Sequence, residues 1–155
     1  MRGKQARKRI LVPDPVYKSE RVTKFINYIM LDGKKEKART IVYTAIEIAS
    51  KKVGEEPMTV FEKVLGAVKP EVEVRSRRVG GATFQIPLPV PRGRSESLAM
   101  RWIIDAARSR SGKPMSDRLA EELTNAFNGE GVAVKKREDT HKMADANRAF
   151  AHFKW

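Results

Sequence analysis

Val72-Glu73-Val74-Arg75-Ser76-Arg77-Arg78-Val79-Gly80-Gly81-Ala82-Thr83-Phe84-Gln85-Ile86-Pro87-Leu88-Pro89-Val90 is where the apolar period of the chain changes to two. Val72 and Val74 alternate with Glu73 and Arg75, and Phe84, Ile86, Leu88 and Val90 alternate with Gln85, Pro87 and Pro89. Such alternation sends successive side chains to opposite faces of a strand. The Gly80-Gly81 pair between the runs can take the positive φ angles of a tight turn, so residues from about 71 to 91 are expected to form a two-stranded antiparallel ribbon. Pro87, Pro89 and Pro91 recur at period two and lack N–H donors. They fit the outward row of a lone hairpin, where they also keep another strand from docking, so the ribbon is expected to project from the domain.

On either side of this stretch the spacing is helical. Ser19 is a candidate N-cap, Val22, Phe25, Ile26 and Ile29 share one face, and Gly33 closes the first helix. Ala38, Ile41, Val42, Ala45, Ile48 and Ala49 form the stripe of a second helix that ends at Gly54. Thr59 and Glu62 have capping-box spacing ahead of Phe61, Val64, Leu65 and Val68, with Pro70 as terminator. Leu98, Ala99, Trp102, Ile103 and Ala106 mark a fourth helix that stops near Gly112 and Pro114, and Leu119, Leu123, Ala126 and Phe127 a fifth, from Ser116 to Gly129. A sixth is expected from near Ala133. Its face of Met143, Ala146, Asn147 and Phe150 is weakly apolar, so loose packing or completion by a partner is anticipated. The expected architecture is mainly α: one six-helix domain over residues 13–155 with a protruding β-ribbon, preceded by a basic arm over residues 1–12.

Charge narrows the function. The 155 residues include 32 Lys and Arg against 19 Asp and Glu, a net charge of +13, while 41% hydrophobic residues exclude a wholly disordered chain. Such an excess repels itself in a compact state unless a polyanion neutralises it, and nucleic acid fits better than a membrane. No run approaches the roughly 20 apolar residues of a bilayer span. Ile10-Leu11-Val12 gives way at once to Pro13 and Asp14, so no export signal is expected. Cysteine is absent, which leaves no disulfide, thiolate metal site or cysteine nucleophile.

The cations are grouped. Arg2, Lys4, Arg7, Lys8 and Arg9 lie in a stretch without acidic residues, expected to be disordered until it meets a polyanion, and Pro13 and Pro15 end it. Arg75, Arg77, Arg78, Arg92 and Arg94 belong to a block with no acid between Glu73 and Glu96. Arginine bonds phosphate through a planar fork and stacks on bases, and a ribbon fits a groove or a bulged RNA surface. Lys135, Lys136 and Arg137 open the sixth helix against its dipole, offset in part by Glu138 and Asp139. Lys34, Lys35, Lys37 and Arg39 form another basic turn, which a merely solubilising face would also explain. The two histidines, His141 and His152, have neither metal spacing nor a nucleophile motif beside them, so no catalysis, metal or cofactor is expected. Phe150, Phe153 and Trp155 end the chain with aromatics that either fold back or anchor a protein neighbour.

Leu31-Asp32-Gly33-Lys34-Lys35, Val72 through Thr83, Lys135-Lys136-Arg137-Glu138-Asp139-Thr140-His141-Lys142-Met143-Ala144 and Asn147-Arg148-Ala149-Phe150-Ala151-His152 together resemble the bacterial family of small-subunit ribosomal protein seven. The likeness runs from Pro13 to Trp155. It implies a primary RNA-binding protein of the 3′ major domain of small-subunit rRNA, cytoplasmic and in the ribosome, that nucleates assembly of the subunit head near the tRNA exit site. It also implies that the arm, Lys34, Lys35, Lys37, Arg75, Arg77, Arg78, Arg92 and Arg94 contact rRNA. The tip, Val79, Gly80, Gly81 and Ala82, would approach tRNA, with Lys135, Lys136, Arg137 and Lys142 shared between the two RNAs. Arg148, Phe150, Phe153 and Trp155 would meet a neighbouring protein of the platform. Gly93 departs from the pair of basic residues that many relatives carry before the fourth helix. A DNA-binding architectural protein is the rival reading, and competition with duplex DNA separates the two.

Overall fold

The computed structural model describes Gly3 and residues 9–153, apart from the side chains of Val79 and Phe153. Among them run α1 (Glu20–Ile29), α2 (Lys35–Val53), α3 (Pro57–Val68), β1 (Val72–Val79), β2 (Ala82–Pro89), α4 (Arg92–Ser109), α5 (Met115–Phe127) and α6 (Val132–Ala146), then a 3-10 helix, Arg148–Phe153. The mainly α architecture with a two-stranded ribbon is as the periodicities implied.

The core is built from the predicted stripes. Val22, Phe25, Ile26 and Ile29 of α1 are buried with Val42, Ala45 and Ile46 of α2, Phe61, Val64 and Leu65 of α3, Ile103 of α4 and Leu119 and Leu123 of α5. Phe25 and Phe61 meet edge to face with ring centroids 5.4 Å apart. In α2 the fully buried isoleucine is Ile46; Ile41 and Ile48 lie at the margin of the core.

One helix start is as expected and one differs. Ser19 occupies the N-cap of α1 without using its side chain, while the Thr23 hydroxyl donates to the Val12 carbonyl at 2.9 Å and ties the preceding segment to the helix. α3 begins at Pro57, with Glu56 at the N-cap, so Thr59 lies inside the helix and forms no capping box. Proline there has its φ already set and gives up an N–H that the first turn could not have used. Gly54 does close α2, at φ +79°.

The segment ahead of α1 is held by a buried carboxylate. Asp14 Oδ2 accepts from the backbone N–H of Val16 and of Tyr17, each at 3.1 Å, and Oδ1 accepts from the Tyr43 hydroxyl at 2.7 Å. Burial, with Asp14 as acceptor, pushes the Tyr43 phenol up to about 12.

In the ribbon Val79 pairs with Ala82 across Gly80 (φ +57°) and Gly81 (φ +90°), the turn with two positive φ angles that suits twisted strands. The Val90 N–H bonds the Glu71 carbonyl at 2.9 Å, so by period two the nitrogens of Pro87 and Pro89 fall on the outer edge. Register also separates the apolar residues. Val72 and Val74 face Pro89 and Pro87, whereas Phe84, Ile86 and Leu88 stand opposite Arg77, Arg75 and Glu73 on the other face. That second face is turned to the body: Ile86 is buried, Phe84 packs on Phe150 with centroids 5.1 Å apart, and both strands touch α6. Only the tip, from Gly80 to Thr83, is exposed throughout.

The face of α6 expected from apolar spacing is a correction. Met143 and Ala146 are exposed, and the buried residues are Ala133, Val134 and Ala144. Polar side chains complete this face. The Arg137 guanidinium donates to the Ala67 carbonyl in the last turn of α3, and His141 Nε2 accepts from the Glu71 N–H at 3.1 Å. Two such bonds dock the helix where apolar residues are few, which is why hydrophobic spacing misplaced the face. Phe150 belongs to the 3-10 helix beyond α6.

Candidate nucleic-acid interface

Arg75 of β1 and Arg94 of α4 converge on one carboxylate. Glu73 Oε1 lies 2.7 Å from Arg75 Nη2 and 2.9 Å from its Nε, while Oε2 lies 2.7 Å from Arg94 Nη2 and 2.8 Å from its Nε. The Glu73 side chain is 12% exposed, against 49% and 46% for the arginines. Burial alone would raise the Glu73 carboxyl, but the two guanidiniums outweigh it and hold it below the usual carboxylate range. The arginines were expected as phosphate contacts from one acid-free block; what that expectation passed over was the single acid on β1, Glu73, two residues from Arg75 on the same face of the strand.

The remaining ribbon cations divide between faces. Arg77 shares the face of Arg75, opposite Phe84, and Arg78 lies on the reverse face, exposed near the tip. Arg92, at the start of α4, lines a cleft of about 570 Å³ at the base of the ribbon, together with Arg21, Lys69, Glu71, Ser95 and Glu96. Glu96 takes Lys69 Nζ and Arg21 Nε at 3.1 Å each. Burial raises its carboxyl and these cations pull it lower, leaving it below the ordinary range. A Cβ at Gly93 would meet open space, so the absence of a second basic side chain there is not enforced by packing.

The cations of α6 have unequal surroundings. Lys135 and Lys142 line a shallow depression with Glu138 and Asp139. Lys136 Nζ sits 5.8 Å from the centroid of the Trp102 ring, and Arg137 is engaged by Ala67 and, at 3.8 Å, by Glu138. The helix start is offset chiefly from elsewhere. Glu122 of α5, fully buried, accepts from the Ala133 N–H at 2.9 Å and pairs with Arg110 at 2.6 Å. Its mark in the sequence is a carboxylate inside the apolar stripe of Leu119, Leu123 and Ala126.

Lys34 pairs with Asp32 at 3.4 Å, and Lys34 and Lys37 border a cleft with Leu31, exposed to solvent. Lys35 is exposed, as is Arg9; Arg2, Lys4, Arg7 and Lys8 lie outside the described residues. So does Trp155, while Arg148 is exposed and Phe150 is partly covered by Phe84. His141 acts as a hydrogen-bonding residue, and His152 Nδ1 is 2.8 Å from the Ala149 carbonyl. No group of three or more His, Cys, Asp or Glu among the described residues could hold a metal.

A helical body that gathers arginines from a ribbon and a neighbouring helix on a shared carboxylate has the features of an RNA-binding protein. The family model for ribosomal protein S7p/S5e matches residues 1–148, and the chain belongs to that family. It is 58% identical over 155 residues to small ribosomal subunit protein uS7 of Kosmotoga olearia, covering all of both chains. The protein of that name from Fervidobacterium nodosum is 57% identical over the same span, and that from Treponema denticola 56% over 154 residues, 99% of each chain. The chain is therefore a non-enzymatic, structural component of the small subunit of the cytoplasmic ribosome, with rRNA and other ribosomal components as its partners.

Proposed function

We propose that the chain is a primary binder of the 3′ major domain of small-subunit rRNA that nucleates assembly of the subunit head and lies near the tRNA exit site. The observation that carries this reading is the convergence of Arg75 and Arg94 from two separate elements, beside Arg77 and the cleft holding Arg92. Cations brought together from distant sequence positions on a packed frame can fix the relative placement of RNA segments, which a flexible basic chain cannot do. Lys34, Lys35, Lys37 and the cations of residues 1–12 add phosphate contacts; the tip at Val79 to Ala82, with Lys135, Lys136 and Lys142, reaches rRNA or exit-site tRNA. Arg137 supports that surface through its bond to Ala67. Arg148 and the terminal aromatics Phe153 and Trp155 meet a protein neighbour on the platform, and Phe150 serves that contact through its packing on Phe84.

Binding to a transcript of the 3′ major domain is compared with binding to an unrelated structured RNA of equal length, at low and physiological salt, with duplex DNA as competitor. Selectivity for the rRNA is expected to survive at physiological salt, and joint replacement of Arg75, Arg77 and Arg78 by Ala to weaken binding by about tenfold or more. Collapse of both affinities together, or displacement by DNA, would overturn the reading.

A further inference from the structure

We infer that Glu73 is a positioning residue for RNA, presetting Arg75 and Arg94 as a paired clamp for the phosphodiester backbone; this rests on the function proposed above. The carboxylate reaches Arg94, 21 positions along the chain and on a different element, as well as Arg75 on its own strand. Each arginine spends its Nε and Nη2 on Glu73, and neither Nη1 has a partner among the described residues. A guanidinium carries five N–H donors, so each fork is oriented by its inner edge and retains donors for an outer acceptor. Both arginines are about half exposed while the acid between them is nearly covered, so incoming phosphate meets the cations and not the carboxylate. Without Glu73 two like charges on long flexible stems would separate, and RNA would have to order them on binding.

This arrangement makes a prediction opposite in sign to simple electrostatics. Removing one negative charge from a polyanion-binding surface should tighten binding; loss of a positioning residue should loosen it. Glu73→Gln keeps the shape and one acceptor oxygen, and Glu73→Ala keeps neither. Both are compared with wild type and with the Arg75→Ala, Arg94→Ala double variant, by titration with the 3′ major domain transcript over a range of salt. Thermal unfolding of each free protein verifies the fold. The expected result is weaker binding by on the order of fivefold for Glu73→Ala, less for Glu73→Gln, with a shallower dependence of affinity on salt because fewer phosphates are engaged. A folded Glu73→Gln that binds as tightly as wild type or tighter, with an unchanged salt slope, overturns the inference. It would leave the proposed function standing if the double arginine variant still binds weakly and wild type stays selective. Loss of selectivity in wild type overturns both.

Discussion

Glu122 on α5 accepts the Ala133 N–H at 2.9 Å and so closes the start of α6 from a different helix. Its other oxygen holds Arg110 at 2.6 Å, so one buried carboxylate satisfies a helix end and a cation together. Replacement by Ala takes this acceptor from both the Ala133 N–H and Arg110 and is expected to cost about 3 kcal/mol, whereas Gln, which keeps an oxygen for Ala133, should cost about 1 kcal/mol. Urea unfolding followed by circular dichroism measures this. Coincident midpoints for wild type and Glu122→Ala would show that α6 is closed by something else.

Gly131 stands beside that carboxylate at φ +101° and ψ 170°, a region open almost only to glycine. A Cβ there would lie 2.9 Å from Glu122 Oε1 and 3.2 Å from the Asn125 Cβ. Gly131→Ala is therefore expected to destabilise by about 3 kcal/mol through strain and displacement of the cap. Gly54 has φ +79° and ψ 19°, with open space around a Cβ. Asn tolerates that conformation, so Gly54→Asn should cost about 1 kcal/mol or less. Equal losses in the two variants would refute the distinction.

Tyr43 gives a pH signature. The fold favours its protonated phenol, through burial first and then Asp14, and moves its ionisation to about 12. Its contribution is complete below about pH 10, the ordinary value of the phenol, and drains away as pH rises toward 12. Absorbance titration near 295 nm of wild type minus Tyr43→Phe should show a tyrosinate step near pH 12. A difference step at about pH 10 would mean that neither the burial of the phenol nor its bond to Asp14 persists in solution.

Periodicity located the elements because each buries one face: Val22 through Ile29 in α1, Phe61 through Val68 in α3, and the alternation around Gly80-Gly81 in the ribbon all stand where spacing put them. Spacing does not reveal partners chosen by tertiary contact. In sequence Asp14 marks the end of an apolar run, Glu73 alternates with the valines of a strand, and Glu122 draws no reading; each has a partner 11 or more positions away. The face of α6 was missed for a related reason, since Arg137 and His141 dock it through backbone atoms of Ala67 and Glu71. Of the candidate site, the basic groups were legible as composition, but the division of Arg75 and Arg77 from Arg78 between faces needed the register, and the joining of Arg75 to Arg94 needed the fold.

The prolines of β2 bear on the period before the chain meets RNA. An open strand edge is where free copies of a chain can begin to pair and polymerise. A second ribbon laid along β2 would find no donors at Pro87 and Pro89 for two of its carbonyls. The outer edge of β2 thus opposes strand-by-strand association of one copy with another and leaves the ribbon a two-stranded element.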